Sequence, residues 1–377
     1  MRILINTAST FKGGGIQVAK SFIEECRNFP SNQYFIVLSD ALSKTIDVKS
    51  FPENFSFFNA PFRPATVVFK LRSHNYFFKE IEKAWKPDIV FTTSGPSYWR
   101  PKVPHLMGYN LPHYIYPESP YFNTIPLKRK LWWKGMKIFA RYVFKRDADA
   151  LVVQTNDVND RLKKFLNRSK VYTVYNTIND HYLKNTKVQN KLPDKKSNEF
   201  RLLTLSAWYP HKNLKMIPKI IKALKHTGFD INFVVTLPKT DFDKLIGNFN
   251  HSNIINVGPV KVEEAPSLYK ECDAMFLPTL LECFSASYVE AMQMKKLIIT
   301  SDLGFAHTIC ENAAMYVDPI DANAIADKIV ELVNSTKLQN KLIKNGLNRL
   351  NAFGTANDRA KQYLDICRTL IDEKKHV

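Results

Sequence analysis

Short apolar runs separated by helical stretches recur along the chain, and this alternation restricts the fold more than any other property. The first half contains RILINTA, YFIVLS (34–39), PDIVFTTS (87–94), VPHLMGYN (103–110), ALVVQT (150–155) and KVYTVYN (170–176). The opening run leads into a turn, KGGG at Lys12 to Gly15, and then into the helical stretch IQVAKSFIEECRNF. After residues 184–199, KNTKVQNKLPDKKSNE, which are polar and aperiodic, the pattern starts again. It continues with FRLLTLSA (200–207), a helical NLKMIPKIIKALKH, INFVVTL (231–237), IINVGPV (254–260), DAMFLPT (273–279) and LIITSD (297–302). Strands alternating with helices predict a parallel, doubly wound sheet, and the restart predicts two of them. The expected domains are 1–183, a linker 184–199, 200–355, and a C-terminal helix 356–377. That helix carries Ala360, Tyr363, Leu364, Ile366, Cys367 and Leu370 on one face and is expected to pack back on the N-terminal domain. Ligands of open α/β sheets bind outside the carboxyl ends of the strands, so function is expected in the strand-end loops and the cleft between the domains.

The charge adds a second constraint. Fifty-four Lys and Arg against 35 Asp and Glu leave a net +19. The excess lies mainly in residues 1–180, with 27 basic and 14 acidic side chains against 27 and 21 in the remainder. Its densest part, LKRKLWWKGMKIFARYVFKR from Leu127 to Arg146, has eight Lys/Arg and no acid, interleaved with Trp132, Trp133, Phe139, Tyr142 and Phe144. At helical spacing Leu131, Ile138 and Tyr142 share a stripe beside Lys130, Lys134, Lys137 and Arg141. This is the pattern of a basic amphipathic helix, whose apolar stripe either packs on its own domain or meets an anionic membrane surface. No RNP, zinc-finger or helix-turn-helix signature accompanies the charge, so nucleic acid is not the expected partner. The five cysteines are far apart with no CxxC pair, which argues against a disulfide framework or a zinc site and for a reducing cytoplasm. The opening MRILINTAST has no basic-then-apolar leader, and no run of about 18 apolar residues is long enough to span a bilayer. A cytoplasmic protein, peripheral on the inner face of the cytoplasmic membrane, is expected.

The chemistry concentrates in LPTLLECFSASYVEAMQMKKLIITSD, residues 277–302. A strand ends at Thr279, a loop holds Glu282, and a helix from about Ser285 carries Glu290, eight positions on and roughly on the same face. The start of that helix presents backbone N–H groups at Phe284, Ser285, Ala286 and Ser287 together with the positive end of the dipole, a setting for phosphate or sugar oxygens. A carboxylate suits paired sugar hydroxyls, and two of them at this spacing suit two pieces of one ligand.

The stretch resembles the E-x7-E signature of the family-4 retaining glycosyltransferases, enzymes of the GT-B fold with two Rossmann-like domains facing a central cleft. The likeness runs through TSDLGFAHTICENAAMYVDPIDANAIADKIVELV and covers roughly residues 200–335. It implies that Glu290 hydrogen-bonds the ribose of a nucleoside diphosphate sugar and that Glu282 lies close to the donor sugar. LSAWYPHKNLK (205–215) places Lys212 where the family has a cation for the donor diphosphate, with backbone around Gly258 to Val260 completing the donor site. Ala207 stands where the family usually has an arginine, and His211 or Lys215 is positioned to supply that charge. Ser285 and Ser287 replace the family's common glycine and proline. Gly13, Gly14 and Gly15 match its glycine loop, and His113 or Asn110 matches a strand-end histidine facing the sugar, with His113 preferred. Tyr109, Tyr114 and Tyr116 are candidates for stacking on acceptor rings or for packing. Asp147-Ala148-Asp149 looks like a DxD metal motif but follows a basic helix, and reads as a helix end with solvated carboxylates.

The implied activity is a metal-independent transfer of a sugar from a nucleoside diphosphate sugar to a glycan or polyprenyl-linked acceptor in surface polysaccharide synthesis, with no cofactor. Departing phosphate would be stabilised by fixed cations, and Glu282 and His113 would orient the sugar. A non-catalytic two-domain binding protein for a nucleotide or sugar is the alternative.

Overall fold

The structure, a computed structural model, describes residues 1–11, 13–61, 71–183, 190–225, 227–249 and 252–376. Lys12 of the glycine turn and residues 184–189 of the expected linker lie outside the described residues. The chain forms two compact units, one of residues 1–117, 125–177 and 354–377, the other of residues 118–124 and 178–353.

The first unit has a seven-stranded sheet of β1 (Arg2–Asn6), β2 (Gln33–Leu38), β3 (Phe55–Asn59), β4 (Ile89–Thr92), β5 (His105–Gly108), β6 (Ala150–Val153) and β7 (Val171–Thr173). Its spatial order is β3-β2-β1-β4-β5-β6-β7, and each neighbouring pair is parallel. The second unit has six strands, β8 (Glu199–Thr204), β9 (Asp230–Val235), β10 (Ile254–Asn256), β11 (Ala274–Leu277), β12 (Leu297–Ser301) and β13 (Met315–Val317). They run in the order β10-β9-β8-β11-β12-β13, again all parallel. Two strands, β3 and β13, are absent from the sequence reading. Both lie at sheet edges; β13 has three residues, and β3 buries only Phe55 of its FSFFN. The FSFFN of β3 lacks the continuous apolar run of a strand covered on both faces, whereas the MYV of β13 is apolar but only three residues long.

The central strands do show it, because helices cover both sides. In the first unit Ile3, Ile5 and Phe91 pack with Phe22, Ile23 and the C-terminal helix Ala356–Lys375. On the opposite face Leu4, Val37 and Val90 pack with Phe78 and Trp99. The C-terminal helix is closed at its start by a Thr355–Asp358 capping box, and its Tyr363 lies edge-on to Phe22 at 5.3 Å. Such burial contributes roughly 1.5–3 kcal/mol per large apolar side chain. All five cysteines are buried free thiols.

The helix Leu127–Asp147 decides where its apolar stripe faces and corrects one expectation. Its stripe of Leu131, Ile138 and Tyr142 does not pack on its own unit: these side chains are 58%, 75% and 59% exposed. The inward face is instead Ala140, Val143 and Phe144, with the Phe144 ring tilted against Tyr109 at 5.0 Å. The helix does end at Asp147, yet of the two carboxylates of the DxD-like triplet Asp147 is not solvated, and Asp149 is only partly so. Asp147 is buried and paired with Arg146, while Asp149 accepts the His105 backbone N–H at 2.9 Å and pairs with Arg100 at 3.4 Å. Among the described residues no helix is long and apolar enough to cross a membrane.

Candidate active site

In the second unit the winding reverses between β8 and β11, which are neighbours in the sheet but not in sequence. At such a switch point the two strand-end loops diverge and leave a crevice. The loop after β8 forms a short 3-10 turn, Pro210–Lys212, and is turned by Asn213 in the left-handed region at φ 59°. Asparagine tolerates that conformation, and its amide donates to the Pro319 carbonyl at 2.7 Å. The loop after β11 is tied to this turn by its backbone, Leu280 N–H donating to the His211 carbonyl at 2.7 Å. Lys212 Nζ then donates to Glu282 Oε1, and the Thr279 hydroxyl lies 3.1 Å from the same oxygen. Both charged side chains are mostly buried, 14% and 11% exposed. A pair this desolvated holds its partners tightly, because either one alone would be a buried uncompensated charge.

The helix Ala286–Gln293 follows directly. Ser285 is its N-cap but makes no side-chain capping bond, so the first-turn amides are not blocked by their own side chain. Phe284 packs edge-on against Phe353. Further along, Glu290 is partly buried, and burial pushes its pKa up to about 7 against the opposing effect of hydrogen bonds from Tyr182 and Tyr269. The two phenols are held well above their usual range, by burial first and the neighbouring carboxylate second. Gly258 lies in the loop after β10 with φ 74°, its N–H on Asn256 Oδ1 at 3.2 Å. The fold therefore brings Lys212 and Glu282 into contact and places Phe284, Ser285, Ala286 and Glu290 on the continuing loop and helix, whereas Gly258 follows an edge strand. Ala207 and Lys215 are exposed, and His211 stacks on Tyr209 at 5.4 Å.

The first unit has its own reversal, between β1 and β4. There a cavity of about 30 Å³ is lined by Gly15, Thr93, Ser94, Asn110, Gln154 and Tyr363, among others. Gly14 and Gly15 open the helix Gly14–Glu25 beside it, after Gly13 at φ 66°. Close approach of β4 and β5 depends on Gly108, where a Cβ would lie 2.2 Å from the Thr93 carbonyl oxygen. Asn110 lines this cavity and accepts a hydrogen bond from Ser94 at 3.1 Å. His113 does not line it; the imidazole stacks on Trp133 at 4.1 Å and 8°. Tyr109, Tyr114 and Tyr116 are all buried, so packing is their role here.

Sequence reasoning missed Tyr182, Tyr269 and Thr279. No signal within residues 277–302 points to the first two, which arrive from other elements of the unit.

Residues 185–349 match the family model described as Glycosyl transferases group 1. Those residues are thus similar to a group 1 glycosyltransferase domain. Over 265 residues the chain is 25% identical to the O-antigen chain mannosyltransferase RfbU of Salmonella typhimurium, covering 62% of this chain and 72% of that one. Two solved structures extend the likeness over the whole length. Sucrose-phosphate synthase from Thermosynechococcus elongatus has a TM-score of 0.75 at 15% identity, covering 99% of this chain and 100% of its own. HepE of Anabaena, in complex with UDP and glucose, gives 0.71 at 13%, covering 98% and 100%. At these identities the structures establish the fold, and that fold is GT-B. The protein is a glycosyltransferase.

Proposed function

We propose that this glycosyltransferase moves a sugar, with retention of configuration and without a metal ion, from a nucleoside diphosphate sugar to a hydroxyl of a glycan or polyprenyl-linked acceptor in bacterial surface polysaccharide synthesis. The observation that carries the reading is the Lys212–Glu282 pair at the β8/β11 switch point, beside a helix start without a side-chain cap. A diphosphate arriving there meets an ammonium and backbone amides already in place, which stabilises charge on the leaving group without reorganisation. Lys212 would neutralise the diphosphate, Glu290 would take the ribose hydroxyls, and backbone at Gly258 and Phe284 to Ala286 would complete the donor site. Glu282 would hold the sugar. Asn110 or His113 would help Glu282 orient the sugar, and the acceptor hydroxyl would approach from the first unit near the Gly14–Gly15 turn. The bond from the anomeric carbon to phosphate oxygen breaks as the acceptor oxygen attacks the same face, and the departing phosphate oxygen takes the acceptor's proton. The likeness to an O-antigen mannosyltransferase supports the substrate class.

The helix Leu127–Asp147 supports a peripheral location on an anionic, cytoplasm-facing membrane surface. Its exposed Leu131, Ile138 and Tyr142 are flanked by exposed Lys128, Lys134, Arg141 and Lys145, and each cation near headgroups contributes about 1 kcal/mol. Sedimentation with anionic vesicles should fall for Lys128→Glu/Arg129→Glu/Lys130→Glu, and equal binding would remove this part.

The donor is identified by a thermal-shift series over UDP, GDP, dTDP and CMP, since ligand at about 100 times Kd adds roughly 2.7 kcal/mol. Hydrolysis of the matching sugar nucleotide without acceptor then tests catalysis. Glu290→Ala and Lys212→Ala should each lower that turnover sharply while remaining folded, and full activity in both defeats the assignment.

A further inference from the structure

Residues 118–124 belong to the second unit, although the chain on both sides of them belongs to the first. They form a short 3-10 turn, Pro120–Asn123, and pack on the two strand-end loops that carry Lys212 and Glu282. Ser119 is buried there, and its Oγ does two things at once. It accepts the Tyr121 N–H at 3.1 Å, which fixes the rotamer, and it donates to the Leu280 carbonyl at 2.5 Å. Leu280 in turn donates its N–H to the His211 carbonyl. Tyr121, also buried, meets the His211 ring edge-on at 6.4 Å. The two peptide groups that flank Leu280 are thus held in succession, its N–H by the carbonyl of His211, the residue preceding Lys212, and its carbonyl by Ser119, two positions ahead of Glu282.

We propose that Ser119 is a positioning residue of the donor site, acting through the Leu280 carbonyl to hold Glu282 and the Thr279–Glu282 turn in register with Lys212. This rests on the donor role given above to that loop. The argument is geometric: a strand-end loop has no sheet partner for its backbone, so each carbonyl must find a donor elsewhere, and here the donor is a side chain whose own orientation is fixed. Residues that locate a reacting group need tenths of an ångström, and a lost tie of this kind lowers turnover without removing a ligand contact.

In the full-length protein, Ser119→Ala should lower kcat for sugar-nucleotide turnover about tenfold, while affinity for the free nucleoside diphosphate, measured by titration calorimetry, stays within twofold. Ser119→Thr, which keeps the hydroxyl, should restore kcat. Unchanged kcat in Ser119→Ala, or a parallel loss of kcat and nucleotide affinity that threonine does not rescue, overturns the proposal. If the wild-type protein turns over no sugar nucleotide, the functional reading fails instead. Amide hydrogen exchange at 280–285 then decides the positioning claim: faster exchange in Ser119→Ala that reverts in Ser119→Thr supports it, and unchanged exchange overturns it.

Discussion

The two units share a topology and differ in what they place at the point where it reverses. Each sheet reverses its winding at an inner strand pair, β1/β4 in one and β8/β11 in the other, and each leaves strand-end loops around that point. In the first unit the crevice is lined by neutral groups, Thr93, Ser94, Asn110 and Gln154. In the second it holds an ion pair, Lys212 with Glu282. The difference matches the chemistry each half is assigned: hydroxyls need hydrogen-bond partners without charge, and a leaving diphosphate needs a cation. A doubly wound sheet supplies the crevice, and a few loop side chains decide which ligand charge it suits.

The largest expected effect lies on the charged side. Lys212→Ala should lower kcat/KM by about 10²–10³, the usual loss when one fixed electrostatic contact to a leaving group is removed. Steady-state kinetics with the native donor measures it, and a loss below tenfold would make the two crevices energetically alike. On the neutral side Asn110→Ala should lower kcat/KM for the sugar nucleotide about tenfold, as loss of one hydrogen bond to the sugar predicts. His113→Ala is the control, and a larger effect there than at Asn110 would move the sugar contact to the imidazole stacked on Trp133.

The third prediction uses the pKa of Glu290, raised from 4.5 to about 7 by burial. The neutral acid is the form favoured by the fold, so its contribution to stability is full below about pH 4.5 and is lost as pH rises through about 7. Wild-type Tm should therefore fall across this window relative to Glu290→Gln. Nucleotide affinity should move oppositely, increasing several-fold between about pH 6 and 8 as the carboxylate that accepts ribose hydroxyls forms, and Glu290→Gln should flatten that profile. The smallest effect is expected from Ala207→Arg, which adds a cation at an exposed position and should tighten donor binding about threefold at low salt. No change would leave Lys212 as the cation that matters in that loop.

The doubly wound sheets were legible because their central strands are buried on both faces, so each reads as an unbroken apolar run. Of the edge strands, β3 was not, since its FSFFN buries only Phe55, and the three-residue β13 was not read either. At the donor side, Lys212 and Glu282 were named from loops 70 residues apart, and their contact follows from sheet order, which spacing alone does not specify. Tyr182, Tyr269 and Ser119 were invisible for the same reason: their relation to residues 280–290 exists only after the chain has folded. The orientation of Leu127–Asp147 was ambiguous in sequence because cations and aromatics occur on several sides of it. The fold resolves this by using the small Ala140 together with Val143 and Phe144 as the inward face.

That rotation of the helix also governs how the isolated protein behaves in the tube. Leu127, Leu131, Trp132, Ile138, Phe139 and Tyr142 form an exposed ridge set among cations, and apolar surface of this extent draws molecules together once nothing else covers it. Raising the salt to detach the protein from anionic resins or co-purifying lipid screens the cations but strengthens the apolar attraction. Salt and a mild non-ionic detergent would be needed together to keep the preparation monodisperse, and light scattering with each omitted in turn would separate the two contributions.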